Sequence, residues 1–333
     1  MMQANSGGAS PPNAKPHQWA NWQGFKNQNQ QTNYSKSAAD CLHELRNVML
    51  ATIGSAPDYL SASGKLTRFD TLKKGDKAGW YVAHLTRWGM VARFGDWHDG
   101  YPHKWTSFEP NTLNKHELAE LNKVQQQQAQ ARQIEQEAAH NAAQAKAIEL
   151  WTKARPASHA HLYLMRKQIQ AHGVRQLGDL LLVPIHDLDG QLWNLQIIAP
   201  DGQKRFLTGG RKRGLGYLMG AMDKAKTLII CEGFATGASL YEAYQQPVLV
   251  AFDAGNLLPV AQAYRNAYPY LTLMIGADND RSKPINTGVV KAKEVQAKVS
   301  GVDVIIPNFP PRAPANLSDF NDLANWISME ATV

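Results

Sequence analysis

Two aliphatic runs that each stop on acids constrain this chain more than anything else in it. In "TLIICEGFATGASLYEAY", Thr227 to Tyr244, the run ends at Glu232, and a glycine turn and an amphipathic stretch follow. In "LTLMIGADND" a second run ends at Asp278 and Asp280. Short apolar runs bounded by turn signals read as buried strands, and the segments between them carry helical patterning. The order is strand "TLIICE", helix "GFATGASLYEAYQ", strand "PVLVAF", helix "NLLPVAQAYRNAY", strand "LTLMIGAD", helix "TGVVKAKEVQAKV" and strand "VDVIIP". Such alternation predicts an α/β fold with a mainly parallel sheet and helices on both faces. Chemistry in these sheets collects at the carboxyl ends of the strands. Glu232, Asp253 in "AFDAGNL", Asp278 and Asp280 all fall at such ends, so one rim should gather them.

Crowded carboxylates repel one another unless a cation compensates. Alternate residues of an extended segment share a face, which lets Asp278 and Asp280 address one ion. Oxygen ligands without sulfur or imidazole among them suit Mg²⁺ or Mn²⁺.

The segment ahead, "DLLLVPIHDLDGQLWNLQIIAPDGQKRFLTGGRKRGLGYLMG", has strand-like runs with Asp-Gly turns at Asp189 and Asp201, which predicts a small antiparallel sheet. Its last loop collects Lys204, Arg205, Arg211, Lys212 and Arg213 among glycines. Arginine forks on a flexible loop grip phosphates in bidentate fashion, so phosphate contact is expected there; the other reading is a solvated charged loop. A net charge of +7 suits a polyanionic partner.

Five segments are expected. Residues 1–35, rich in Asn, Gln, Gly, Pro and Ser, read as a disordered leader in which Trp19 and Trp22 could mark a docking segment. Residues 36–112 read as a β-rich α+β module, with a helix in "SAADCLHELRNVML" and antiparallel strands in "GWYVAHLTRWGMVARFGDW". Its His84, His98 and His103 read as strand-face histidines. Its aromatics, with Lys73, Lys74, Lys77, Arg87, Arg93 and Lys104, form either a stacking surface for single-stranded nucleic acid or part of a core. Residues 113–155 hold strong helix formers with sparse apolar positions, which predicts a long solvated connector helix. Residues 156–222 carry the antiparallel sheet and basic loop, and 223–333 the parallel sheet. No apolar stretch has the ~20 residues of a membrane span, no signal-like segment opens the chain, and the two cysteines, Cys41 and Cys231, are too few for a disulfide framework. A cytoplasmic setting is the expectation.

In this strand order, "CEGFATGASL" and "GADND" resemble the two signature motifs of the TOPRIM domain, which bacterial-type primases, type IA and II topoisomerases, OLD-type nucleases and RecR-like repair proteins share. The segment from Leu180 to Gly220 and the aromatic N-terminal module resemble those of DnaG-like primases of plasmids and phages. The resemblance implies that Glu232 is a general base or part of a metal shell, and that Asp278 and Asp280 hold metal. Asp319 and Asp322 of "LSDFNDL" match a further acidic pair, with a helix cap followed by an exposed turn acid as the other reading. Lys204 and Arg205, and more loosely Arg211 to Arg213, match basic residues of the primase core. The cysteines of a zinc ribbon are missing, and no helicase motif follows. The resemblance thus implies Mg²⁺- or Mn²⁺-dependent primer synthesis from ribonucleoside triphosphates on single-stranded DNA in plasmid or phage replication, with a replicative helicase as a candidate partner. A metal-dependent nuclease and a non-catalytic nucleic-acid-binding module are the alternatives.

Overall fold

The computed structural model describes residues 36–72, 74–97, 101–283 and 286–331. The expected leader, with Trp19 and Trp22, and also Lys73 and His98 lie outside the described residues. The chain divides into two compact units, Met1–Arg132 and Gln133–Val333.

In the first unit, helix α1 (Ala38–Ile53) starts at a reciprocal cap in which Ser37 Oγ accepts from the Asp40 N–H and Asp40 answers toward the Ser37 backbone. Strands β1 (Thr67–Phe69), β2 (Gly79–Thr86), β3 (Gly89–Asp96) and β4 (His103–Thr106) form an antiparallel sheet in chain order. Cys41, Leu45 and Met49 repeat every fourth residue on α1 and pack in one core with Tyr81, Ala83, Met90, Ala92 and Phe94. The aromatics divide between roles. Trp105 joins this core, whereas Trp80 and Trp97 stack at 5.4 Å and Arg68 lies over Trp97.

Helix α2 (Lys115–Lys153) is the long helix expected from composition, but it is not solvated throughout. Ala147, with Leu150, Trp151 and Ala154 just beyond the helix, packs on Leu182, Leu195 and Ile197. Small residues let the helix lie close to a sheet, so low hydrophobicity hides a packing stripe. The boundary between the units falls inside this helix, after Arg132.

After the end of α2 the second unit continues with β5 (Arg155–Pro156), α3 (Leu162–Lys167), β6 (Arg175–Leu177), β7 (Leu180–His186), β8 (Leu192–Ile198) and β9 (Lys204–Phe206), whose strands form an antiparallel meander. Then come β10 (Tyr217–Met219), β11 (Thr227–Cys231), α4 (Phe234–Tyr244), β12 (Val248–Val250), α5 (Ala254–Ala267), β13 (Thr272–Gly276), α6 (Thr287–Lys298), β14 (Val302–Ile305) and α7 (Phe320–Glu330). The second sheet has the order β10-β12-β11-β13-β14. Its last four strands are parallel, as the alternating pattern predicts, and β10 adds an antiparallel edge. One core joins Leu181, Val183 and Ile185 of the meander to Ile229, Cys231 and α4. A second core lies under α5 and α6, around Leu228, Ile230, Leu257 and Val295.

Candidate active site

Strand β11 is central, and the chain leaves it toward β12 on one side while β13 leads to β14 on the other. The gap between β11 and β13 is therefore a topological switch point, where a doubly wound sheet opens a crevice. Cys231 pairs with Gly276 in register, so Glu232 and Asp278 leave the sheet side by side just beyond these ends.

Local structure then aims the acids. Gly233 is the N-cap of α4, so the helix starts two residues after Glu232 and its first turn supplies Ala235 and Thr236 to the same cavity. After β13 the chain is held by Asn279. Its N–H donates to the Ser318 carbonyl at 2.6 Å, its Nδ2 donates to the Pro307 carbonyl, and its Oδ1 accepts from Asn286. A pinned Asn279 leaves the flanking aspartates to the rim. Helix α6 presses on this turn so closely that a Cβ at Gly288 would lie 2.5 Å from the Asp278 carbonyl oxygen.

A cavity of about 210 Å³ is lined by Glu232, Asp278, Asp319, Lys204, Lys167 and the start of α4. Glu232 Oε1 and Asp278 Oδ1 are buried there with no hydrogen-bond partner. Desolvation, then repulsion from Asp253 and Asp280, pushes Glu232 up to about 7. Desolvation, then Glu232, Asp319 and Asp280, pushes Asp278 up to about 8. Asp319 is also raised by burial. The pull of Asp319 and Asp278 on Lys204 runs against crowding by the cavity wall, which lowers its pKa although the side chain keeps a path to solvent.

The remaining expected residues divide by surroundings. Asp280 accepts from Lys283 Nζ at 2.8 Å, and its charge reaches both Glu232 and Asp278. Asp319 caps α7 by accepting from the Asp322 N–H at 2.7 Å, and it also lines the cavity. Asp322 does not line it; its carboxylate accepts from the Ser318 N–H and lies 3.6 Å from Lys167. Arg205 is exposed on β9, next to Lys204.

The basic loop is not the flexible strap that its glycines suggest. Asn256 Nδ2 donates to the carbonyls of Lys212, Leu215 and Ala251, and its Oδ1 accepts from the Gly214 N–H. A Cβ at Gly210 would collide with Asn194, which is fully buried. Lys212 is committed to an ion pair with Asp253, and Arg211 lies 4.8 Å over the Trp193 ring. Of the three loop cations, Arg213 is the exposed one. Lys167 is the residue that sequence reasoning missed. It ends a six-residue helix more than sixty positions before Glu232, and the burial of Tyr163 and Leu164 in the core under α4, with Asn321 of α7 donating to the Lys167 carbonyl, puts it at the cavity.

Among the described residues no three acid, histidine or cysteine side chains form a ready-made metal cage. Mg²⁺ needs no such cage, since it keeps several waters and substrate phosphates complete its shell. Two orphaned, proton-hungry carboxylate oxygens on one cavity fit a hard divalent cation.

Fold and rim together define a Toprim domain, and residues 227–326 match the family described by that name. Toprim domains typically bind divalent metal. Among curated relatives, the chain is 34% identical over 261 residues to DNA primase TraC of Escherichia coli, covering 74% of this chain and 24% of that protein. A second DNA primase TraC of Escherichia coli is 33% identical over 249 residues, covering 72% of this chain and 17% of the relative. The chain thus spans a quarter or less of the curated relatives it matches. Among solved structures it is similar to the primase fragment of the bacteriophage T7 primase-helicase protein, at 14% identity and a TM-score of 0.40 over 54% of this chain and 74% of that one. No helix among the described residues is long and apolar enough to cross a membrane.

Proposed function

We propose that the second unit is the catalytic unit of a primase, which joins ribonucleoside triphosphates into a short primer on single-stranded DNA during plasmid or phage replication. The observation that carries this reading is the shared cavity, where Glu232, Asp278 and Asp319 face Lys204 and Lys167 across the switch point. Asp278 and Asp280 would hold Mg²⁺ (or Mn²⁺), with Asp319, and Glu232 where it joins the shell, completing the acidic rim, and Asp322 donating its N–H to Asp319. When bound, the cation lowers the pKa of the attacking hydroxyl and offsets charge on the triphosphate.

The chain's own groups account for the rest. Without a cation Asp278 and Glu232 retain protons near neutrality, so the rim is least charged until a ligand of opposite sign arrives. Left outside the cation's shell, Glu232 would be the group that accepts the hydroxyl's proton. Lys204 and Lys167 neutralise phosphate oxygens at the cavity, while Arg205 and Arg213 are placed to hold backbone phosphates outside it. The first turn of α4 adds the positive end of a helix dipole. Partners in this reading are single-stranded DNA, ribonucleoside triphosphates and a replicative helicase, in the cytoplasm.

The test is primer synthesis with labelled ribonucleotides on single-stranded DNA, with and without Mg²⁺. De novo oligomers that vanish in Glu232→Gln and Asp278→Asn support the reading. Shortened template without synthesis would replace it with a nuclease that uses water as nucleophile.

A further inference from the structure

A second cavity, of about 260 Å³, opens beside Gly216, Tyr217 and Leu218 at the β10 edge of the sheet and shares no lining residue with the acidic cavity. Phe252 and Ala235 at the acidic site belong to the core under α4, whereas Tyr264, Tyr268, Leu218 and Met222 at this cavity belong to the core under α5 and α6. Its lining includes His186 and Asp187 at the end of β7, with Tyr264 and Tyr268 on or just beyond the last turns of α5. The two tyrosine rings stack at 5.9 Å, and Tyr270 meets Tyr268 edge-on at 6.4 Å.

Three polar side chains line the cavity, His186, Tyr264 and Tyr268. Neither the imidazole of His186 nor the phenols of Tyr264 and Tyr268 hydrogen-bond to another described residue. Asp187, by contrast, is saturated, accepting from the Asp189 and Gln191 N–H groups and from Trp193 Nε1 at 2.7 Å. Arg211 lies over that same Trp193 ring and acts on the Asp187 charge, so a guanidinium stands beside the rim. The cavity thus combines flat aromatic faces, unspent donors and acceptors, aliphatic floor and an adjacent cation. Drug-sized ligands occupy ~300–1,000 Å³, so this space suits one flat heterocycle.

We propose that this cavity takes a single unstacked nucleobase, its face on the Tyr268 ring, its edge read by His186 and the Tyr264 hydroxyl and its phosphate held by Arg211, from a single-stranded nucleic acid running past the β10 edge of the sheet. The inference rests on the reading of the chain as a nucleic-acid enzyme but not on its chemistry. Binding is therefore measured on the full chain in EDTA without nucleotide, by anisotropy of a fluorescein-labelled oligothymidylate of about 12 nucleotides.

Tyr268→Leu keeps the apolar cover over α5 and removes the ring; it is expected to weaken binding about 10-fold, within the range of one base–aromatic stack. Tyr268→Phe should retain most of the affinity. A strand with abasic positions should bind more weakly and lose its sensitivity to Tyr268→Leu. Arg211→Ala should lower the salt slope by about 1. Thymidine monophosphate is the second probe. Competition that disappears in Tyr268→Leu supports the site and makes a free nucleotide its source, whereas failure to compete beside a Tyr268-dependent strand makes the source a strand. Wild-type affinity in Tyr268→Leu for both probes, with thermal unfolding unchanged, overturns the proposal. Loss of synthesis in Glu232→Gln with Tyr268-dependent binding intact separates the two readings.

Discussion

At the scale of single residues, the site is a contest between burial and charge. A carboxylate whose folded pKa lies above its unfolded value binds protons more tightly when folded, so stability is highest below the unfolded value and falls as pH rises through the folded one. With Asp278 near 8 and Glu232 near 7, the metal-free protein should lose stability between about pH 4 and pH 8 from these groups. Asp278→Asn should flatten that decline and unfold at least about 2 °C higher than wild type at pH 8 in EDTA. Mg²⁺ should raise the wild-type midpoint more at pH 8 than at pH 5.5. Scanning fluorimetry over pH, with and without Mg²⁺, checks all three. Loop cations should separate in the same way. Lys212→Ala leaves Asp253 without its partner and should cost about 1–3 kcal/mol, whereas Arg213→Ala should stay within ~0.5 kcal/mol and weaken DNA binding instead. Denaturant melts and filter binding of single-stranded DNA distinguish these outcomes.

At the scale of elements, the acids depend on how helices meet turns. Helix α6 touches the Asp278 carbonyl only because residue 288 has no side chain. Gly288→Ala should push that turn aside and lower metal-dependent synthesis by ~10- to 100-fold with circular dichroism unchanged, since misplacement by about 1 Å suffices for such losses. Helix α2 makes a complementary case. Charge at Ala147, buried against the meander sheet, should cost more than about 2 kcal/mol in Ala147→Asp, whereas Gln127→Glu on an exposed turn should be silent. The strands, helices and acid-bearing ends were readable because a parallel sheet buried on both faces needs continuous aliphatic runs. The stripe of α2 was not, because alanine is both a helix former and a packing residue.

At the scale of the whole molecule, a chain with two compact units should unfold in parts. Residues 133–333 expressed alone should melt cooperatively and bind Mg²⁺, because both sheets of that unit share their cores. Calorimetry of the fragment checks this. Local sequence already dictated which segments are strands, that Glu232, Asp278 and Asp280 cap them, and that hard oxygen ligands call for a hard cation, since these follow from periodicity and from ligand chemistry. It could not dictate that Lys167 joins the cavity, that Asp319 faces it while Asp322 turns to Lys167, or that Asn256 ties down the basic loop. Those outcomes rest on contacts between positions up to some 150 residues apart, and such contacts exist only once the sheets and α7 have closed on one another.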